Sequence, residues 1–130
     1  MKNILITGGA GFIGSNLAME IQKQFPESKI TIVDDFRSGD FKNLLGYTHD
    51  VITCNIAEKE FVEKTKDISI DTIFHQAAIT DTTVMDQRKM MYDNVEGFRN
   101  ILELALEKKA TLIYASSAGT YGNQKHPIKE

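Results

Sequence analysis

Three glycines, Gly8, Gly11 and Gly14, follow directly on the apolar run Ile4-Leu5-Ile6, and an acid, Asp34, closes the next apolar run, Ile30-Thr31-Ile32-Val33, 20 residues beyond Gly14. Together these residues are able to hold a dinucleotide. Gly8 supplies a backbone angle that a β-carbon would forbid, and Gly11 lets the main chain approach a pyrophosphate. Gly14 lets the following helix pack closely on the strand. The N–H groups of that helix's first turn, around Phe12 and Ile13, face the phosphates with the positive end of the helix dipole. Asp34 stands where an acid takes ribose hydroxyls. A bare glycine triplet also describes an ordinary strand-to-helix turn. The strand before it, the helix after it and the acid at the proper distance favour the nucleotide reading.

Two further segments end where chemistry would be done. Gln76-Ala77-Ala78-Ile79-Thr80 follows the apolar run that closes at His75, and Ser116-Ser117 follows Thr111-Leu112-Ile113-Tyr114-Ala115. Small residues ending a strand are the plain reading of Ser116-Ser117; in this fold, at this edge, a catalytic reading gains weight. Asn94 is a poor helix former inside a helical stretch, and a solvated polar position would explain it equally. His75 reads as a partly buried histidine with a satisfied ring rather than as a catalyst. His49, His75, His126 and Cys54 show no metal-ligand spacing, so no metal site is expected. Met85, Met90 and Met91 read as packing residues.

The elements that must position these residues alternate strand with helix. After the first strand, helical spacing runs from Ile13 through Leu17 and Ile21 to Phe25, and Pro26 stops it. A polar turn, Asp35 to Asp40, follows the second strand, with a short helix expected over Phe41 to Leu45. A third strand is expected at Asp50 to Cys54, a helix from Ala57 to Lys66, and a fourth strand at Asp71 to His75. A long helix fits Val84 to Lys109, with Val95, Phe98, Ile101, Leu102 and Ala105 on one face and Lys108 and Lys109 at the end that favours cations. The fifth strand is Thr111 to Ala115. Near-continuous apolar strands separated by helices imply an α/β fold, a Rossmann-type doubly wound parallel sheet. Right-handed crossovers give the strand order 3-2-1-4-5, with ligands bound beyond the carboxyl ends of strands 1 and 4.

The bulk properties exclude more than they assign. One domain accounts for 130 residues, and 42% apolar with 25% charged residues is ordinary for a globular protein. A formal net charge of -3 gives no reason to expect nucleic acid or an anionic membrane as partner. No apolar stretch approaches the ~20 residues that span a bilayer, and the start of the chain shows no export signal. A single cysteine, Cys54, excludes an internal disulfide and fits a reducing cytoplasm.

The motifs carry a family resemblance over essentially the whole chain. Thr7-Gly8-Gly9-Ala10-Gly11-Phe12-Ile13-Gly14-Ser15, His75-Gln76-Ala77-Ala78, Asn94-Val95-x-Gly97 and Ser116-Ser117-Ala118-x-x-Tyr121-Gly122 resemble the signatures of the extended short-chain dehydrogenase/reductases, the nucleotide-sugar epimerases and dehydratases. GxxGxxG is that family's form of the glycine turn. The run from His75 to Thr83, with Met90-Met91-Tyr92-Asp93-Asn94 and Ala115 to Gly122, is most similar to the ADP-glyceromanno-heptose 6-epimerases. UDP-sugar 4-epimerases share most of these residues, and a sugar-nucleotide dehydratase stays open.

The resemblance implies a mechanism and a set of roles. A tightly held nicotinamide cofactor takes hydride from a sugar carbon, leaving a transient ketone, and returns it to the opposite face. A tyrosine assisted by a lysine four residues on is the acid/base, and a serine hydrogen-bonds the reacting oxygen. Ser117 matches that serine, with Ser116 beside it. Phe12 and Ile13 match the pyrophosphate contacts, Asp34 and Asp35 the adenosine ribose region, and Asn55-Ile56 an adenine-side pair. Gln76, Ala77, Ala78, Ile79, Thr80 and Asn94 match the wall along the ribose and nicotinamide. The heptose epimerases resembled here favour NADP. Asp34 argues for NAD, because a carboxylate repels a 2′-phosphate, whereas Arg37, Lys42 or Lys59 would neutralise that phosphate. NADP is the expectation, with NAD the alternative.

The resemblance also implies that the catalytic tyrosine and lysine belong some two dozen residues past the serine, beyond Glu130. Tyr121-Gly122-Asn123-Gln124-Lys125 spells Y-x-x-x-K, but Gly122 and Asn123 disfavour the helix that would align the pair. The expectation is therefore a Rossmann domain over residues 1–130 of a longer epimerase, truncated before the catalytic helix and the substrate domain and inactive by itself. The full-length protein is expected to be a homo-oligomer acting on a nucleotide sugar. Left alone, the piece is expected to be weakly stable or self-associating, with its fifth strand an unprotected edge. A free-standing dinucleotide-binding module without catalysis is the competing function.

Overall fold

The computed structural model describes residues 1–80, 86–116 and Gly122. Five parallel strands, β1 (Asn3–Thr7), β2 (Lys29–Asp34), β3 (Asp50–Thr53), β4 (Thr72–His75) and β5 (Thr111–Tyr114), form one sheet in the order β3-β2-β1-β4-β5. Three helices, α1 (Phe12–Gln24), α2 (Lys59–Thr65) and α3 (Gln87–Lys108), make the crossovers, and a 3₁₀ turn covers Phe41–Leu44. The expected Rossmann-type architecture is the one observed.

The central strands are apolar without alternation because both faces are covered, and each face has its own core. Ile4, Ile6, Ile30 and Ile32 pack under α1 with Ala18 and Ile21. The intervening Leu5 and Val33 point the other way, into Ile73, Phe61 and the α3 residues Ile101, Leu104 and Ala105. In register, Thr7 lies between Val33 and His75, and His75 in turn lies beside Tyr114. The carboxyl ends of β2, β1, β4 and β5, on both sides of the β1–β4 switch, therefore stand in one row.

Several local expectations shift, each for a visible reason. α1 buries Gly14, Ser15, Ala18 and Ile21, whereas Ile13 is 65% exposed, so the packed face begins one residue later than the apolar spacing suggests. The helix ends at Gln24 because Phe25 precedes Pro26 and leaves the helical region at φ -127, ψ 67. α2 starts at Lys59 rather than Ala57, since the Asn55 side chain accepts from the Ala57 N–H and turns the chain first. On α3 the buried stripe is Asp93, Gly97, Ile101, Leu104 and Ala105, with Val95 and Leu102 on the exposed side. Asp86 caps α3 by accepting from the Lys89 N–H at 2.9 Å, and Lys109 closes it in the left-handed conformation. The expected start of that helix at Val84 lies outside the described residues.

Candidate dinucleotide site

The site begins with what Gly8 and Gly14 permit. Gly8 has φ +68, and a β-carbon there would sit 2.7 Å from the Ala77 nitrogen. At Gly14 a β-carbon would stand 2.2 Å from the Gly8 carbonyl oxygen, so this glycine is required by the turn itself rather than by helix-on-strand packing. Gly11 differs from both: its backbone is extended (φ -74, ψ 172), open to any residue, and an added β-carbon would meet only the Gly8 oxygen, at 3.2 Å. Its missing side chain keeps the space above the turn open. No side chain caps the first turn of α1, and no acid occupies it, so the N–H groups around Phe12 and Ile13 are left for an anion. The side chains of those two residues point outward, 81% and 65% exposed. It is their backbone, not their side chains, that an anion at the helix start would meet.

A cleft of about 570 Å³ opens over the carboxyl ends of the strands, within the range of roughly 300–1,000 Å³ of small-molecule sites. It brings together Gly8, Gly11, Phe12, Ile13 and Gly14 with Asp34 and Asp35, Asn55 and Ile56, Gln76 through Thr80, and Asn94. Lys42 and Lys59 are not on its wall; Lys42 is 86% exposed and 4.0 Å from Asp40. Ser116 lies just past β5, exposed, and off the cleft wall; Ser117 lies outside the described residues.

Several side chains prove to hold the site as well as line it. Asp34 accepts from the Ala10 N–H at 2.9 Å and the Phe36 N–H at 2.8 Å, so its carboxylate is fixed between the glycine turn and the β2 loop. Asn94 accepts from the Ile79 N–H at 2.8 Å and donates to the Ile79 carbonyl at 3.1 Å. An asparagine is tolerated within α3 because both ends of its amide clamp the wall. Thr7 Oγ1 lies 2.8 Å from His75 Nδ1 and accepts from the Ala77 N–H at 3.3 Å. Burial holds the His75 imidazole below its ordinary value, as a neutral, satisfied ring.

Asp93 is the residue that sequence reasoning missed. Its carboxylate is 5% exposed and is met by Arg37 Nη1 at 2.6 Å, Asn55 Nδ2 at 3.1 Å and Lys89 Nζ at 3.2 Å. Burial alone would raise this carboxyl, yet the hydrogen bonds from Arg37, Asn55 and Lys89 leave it below the usual carboxylate range. The signal was present in the sequence: Asp93 continues the stripe of Gly97, Ile101 and Leu104, where a charge must find partners. Cys54 also lines the cleft; burial pushes its thiol up to about 11, so it stays protonated at neutral pH.

The described side chains fit a dinucleotide: an uncapped helix start and an open glycine for the phosphates, fixed acids at the ribose end, and a clamped apolar wall beyond them. Comparisons with known proteins agree. The NAD dependent epimerase/dehydratase family matches residues 4–130. The Helicobacter pylori ADP-L-glycero-D-manno-heptose-6-epimerase structure superposes with a TM-score of 0.89 at 47% identity, over 98% of this chain and 43% of that one. A UDP-glucose-4-epimerase from Stenotrophomonas maltophila, solved with bound NAD and formylated UDP-arabinopyranose, gives 0.83 at 27% identity over 98% and 41%. A UDP-N-acetyl-alpha-D-glucosaminuronate decarboxylase of Bacillus cytotoxicus is 38% identical over 99% of this chain and 40% of its own length. The chain thus spans about two fifths of the length of the relatives it matches. With the cleft, its glycine turn and the match across nearly every residue in agreement, the chain belongs to the NAD-dependent epimerase/dehydratase family.

Proposed function

We propose that this chain is the cofactor-holding part of a nucleotide-sugar epimerase acting on ADP-glyceromanno-heptose. The observation that carries the cofactor reading is the open cleft above Gly11, where the uncapped start of α1 faces the switch between β1 and β4. The sugar reading rests on the 47% identity to the heptose epimerase, well above the 27% to the UDP-glucose epimerase. A UDP-sugar substrate is the second reading, supported by the 38% identity to the decarboxylase.

A bound nicotinamide would supply a hydride acceptor that is also the donor for the return step. The chain's own residues do the holding. Amides of the α1 start and the open face of Gly11 would receive the diphosphate, Asp34 the adenosine ribose, Asn55 and Ile56 the adenine side, and the Gln76–Thr80 wall the nicotinamide side. Ser117 is proposed to hydrogen-bond the reacting oxygen, with Ser116 beside it; the acid/base pair is proposed to lie further along the full-length protein. That protein is proposed to be a homo-oligomer working in the cytoplasm. NADP, the form implied by the resemblance, needs a cation for its 2′-phosphate. Lys42 and Lys59 stand off the cleft wall and Arg37 is engaged by carboxylates, so the charges here support NAD instead.

The test is turnover of ADP-D-glycero-D-manno-heptose by the full-length protein, followed by resolution of the two heptose epimers. Epimer formation is the expected result. Turnover of a UDP-hexose with none of the heptose would overturn the sugar assignment and leave the cofactor site standing.

A further inference from the structure

We propose that Asp93 is a positioning residue for the nicotinamide side of the cleft: by fixing the start of α3 it aims the Asn94 amide that clamps the Gln76–Thr80 wall. The inference rests on the cofactor reading above and deepens it.

α3 is fastened differently at its two ends. Towards its carboxyl end Ile101, Leu104 and Ala105 join the core around Leu5, Val33 and Ile73. Its start has no such packing. From Gln87 to Asn94, Asp93 alone is buried, and Met91 and Tyr92 are exposed. What fixes this stretch is the Asp93 carboxylate. Its Oδ2 accepts from Arg37 Nη1 at 2.6 Å and lies 3.2 Å from Lys89 Nζ, and its Oδ1 accepts from Asn55 Nδ2 at 3.1 Å. Arg37 is in turn held by Asp35, at 2.8 Å. A buried carboxylate paired in this way resists displacement, because any shift of the helix would leave it short of donors away from water.

The anchor and the clamp are consecutive residues, and the helix sends them in two directions. Asp93, Gly97 and Asn100 share one face. All three meet the corner after β3. Asp93 binds Asn55, a β-carbon on Gly97 would fall 2.9 Å from the Ile56 side chain, and Asn100 donates to the Ile56 carbonyl at 2.8 Å. Asn94 lies about 100° further round the helix and reaches the loop after β4 instead. It accepts from the Ile79 N–H at 2.8 Å and donates to the Ile79 carbonyl at 3.1 Å. Both bonds depend on where the Asn94 backbone stands, and that backbone is one peptide unit from the anchor. The nicotinamide wall is thereby held in register with the corner after β3. Asp93 need not touch the ligand to do this: it acts through Asn94.

The experiment measures NADH binding to the cofactor-stripped full-length protein, wild type against Asp93→Asn, Asn94→Ala and the double variant. Each single change is expected to weaken NADH about tenfold. Because one residue acts through the other, the double variant is expected to lose little more, whereas independent sites would lose about a hundredfold. Gly11→Val, on the turn before α1, supplies the contrast: combined with Asp93→Asn it is expected to give the additive loss of about a hundredfold. The second readout is nicotinamide fluorescence at saturating NADH, where differences in affinity drop out. The emission change on binding is expected to shrink in Asp93→Asn as it does in Asn94→Ala. A role confined to the adenosine end would leave it at the wild-type value. Arg37→Met takes one donor from Asp93 by changing a side chain that is 38% exposed, and the same shrinkage is expected there should Asp93→Asn unfold the protein. Additive losses for Asp93→Asn and Asn94→Ala, or wild-type emission in any of these variants that folds, overturn the inference alone. Failure of wild type to bind NADH overturns the cofactor reading and this inference with it.

Discussion

Gly11 and Gly14 are three residues apart in one turn, yet they are glycines for different reasons, and the difference is measurable. At Gly14 a side chain meets the backbone oxygen of Gly8 at 2.2 Å, with no flexible atom to give way. Gly14→Ala should therefore cost stability, on the order of 1–3 kcal/mol for a forced clash in packed structure, seen as a lower thermal midpoint. At Gly11 the conformation suits any residue and the main obstacle is one contact at 3.2 Å. Gly11→Val should keep most of the stability while weakening cofactor binding at least about tenfold, because its branches fill the space a diphosphate would use. Calorimetric titration beside a melt separates the two effects. Equal cofactor affinity in Gly11→Val and wild type would remove the phosphate from that turn.

At the level of elements, β1 and β4 are joined at their carboxyl ends by more than their ladder. The Ala77 N–H donates to Thr7 Oγ1, so the hydroxyl proton is free to point at His75 Nδ1, which accepts it as a neutral ring. Burial holds the folded imidazole below its ordinary value of about 6.5. As pH falls below about 6.5 the unfolded chain binds the proton first, so stability rises with pH up to that point and is flat above it, as far as this group is concerned. Melts from pH 5 to 7.5 should show that slope reduced in His75→Gln; an identical slope would place the titration elsewhere.

The same scale shows what the sequence could and could not tell. Strand order and the glycine turn were legible because both follow from periodicity and local sterics: Ile4 and Ile6 against Leu5 already separate the two cores. Asn94 was legible as part of the wall but not as a clamp, since its partner is the backbone of Ile79, fifteen residues earlier. The face of α3 was misassigned because apolar residues outnumber the buried positions. Only the packed sheet shows that Gly97 faces Ile56, where a β-carbon would come within 2.9 Å, while Val95 and Leu102 face outward. The bridge through Arg37 needed three elements in place, and no spacing rule encodes that.

For the whole molecule, the cleft and the exposed leucines of α3 occupy different stretches of that helix. Asp93 and Asn94 serve the cleft near its start, whereas Leu102 and Leu106 lie eight and twelve residues beyond Asn94, roughly 12 to 18 Å along a helix. Leu106 is 70% exposed, Leu102 42%, and on the neighbouring β5 Tyr114 is 54% and Ile113 43% exposed. Among the described residues, β5 pairs only with β4. Apolar side chains beside a free strand edge favour association with another surface. The 130-residue chain should therefore self-associate with rising concentration in sedimentation velocity, and a double change, Leu102→Glu with Leu106→Lys, should suppress that association. Because these positions are remote from Arg37, Asp93 and the glycine turn, the same double variant should leave cofactor affinity unaltered. A monodisperse monomer of the unaltered chain at high concentration would show that this face and edge are soluble as they stand.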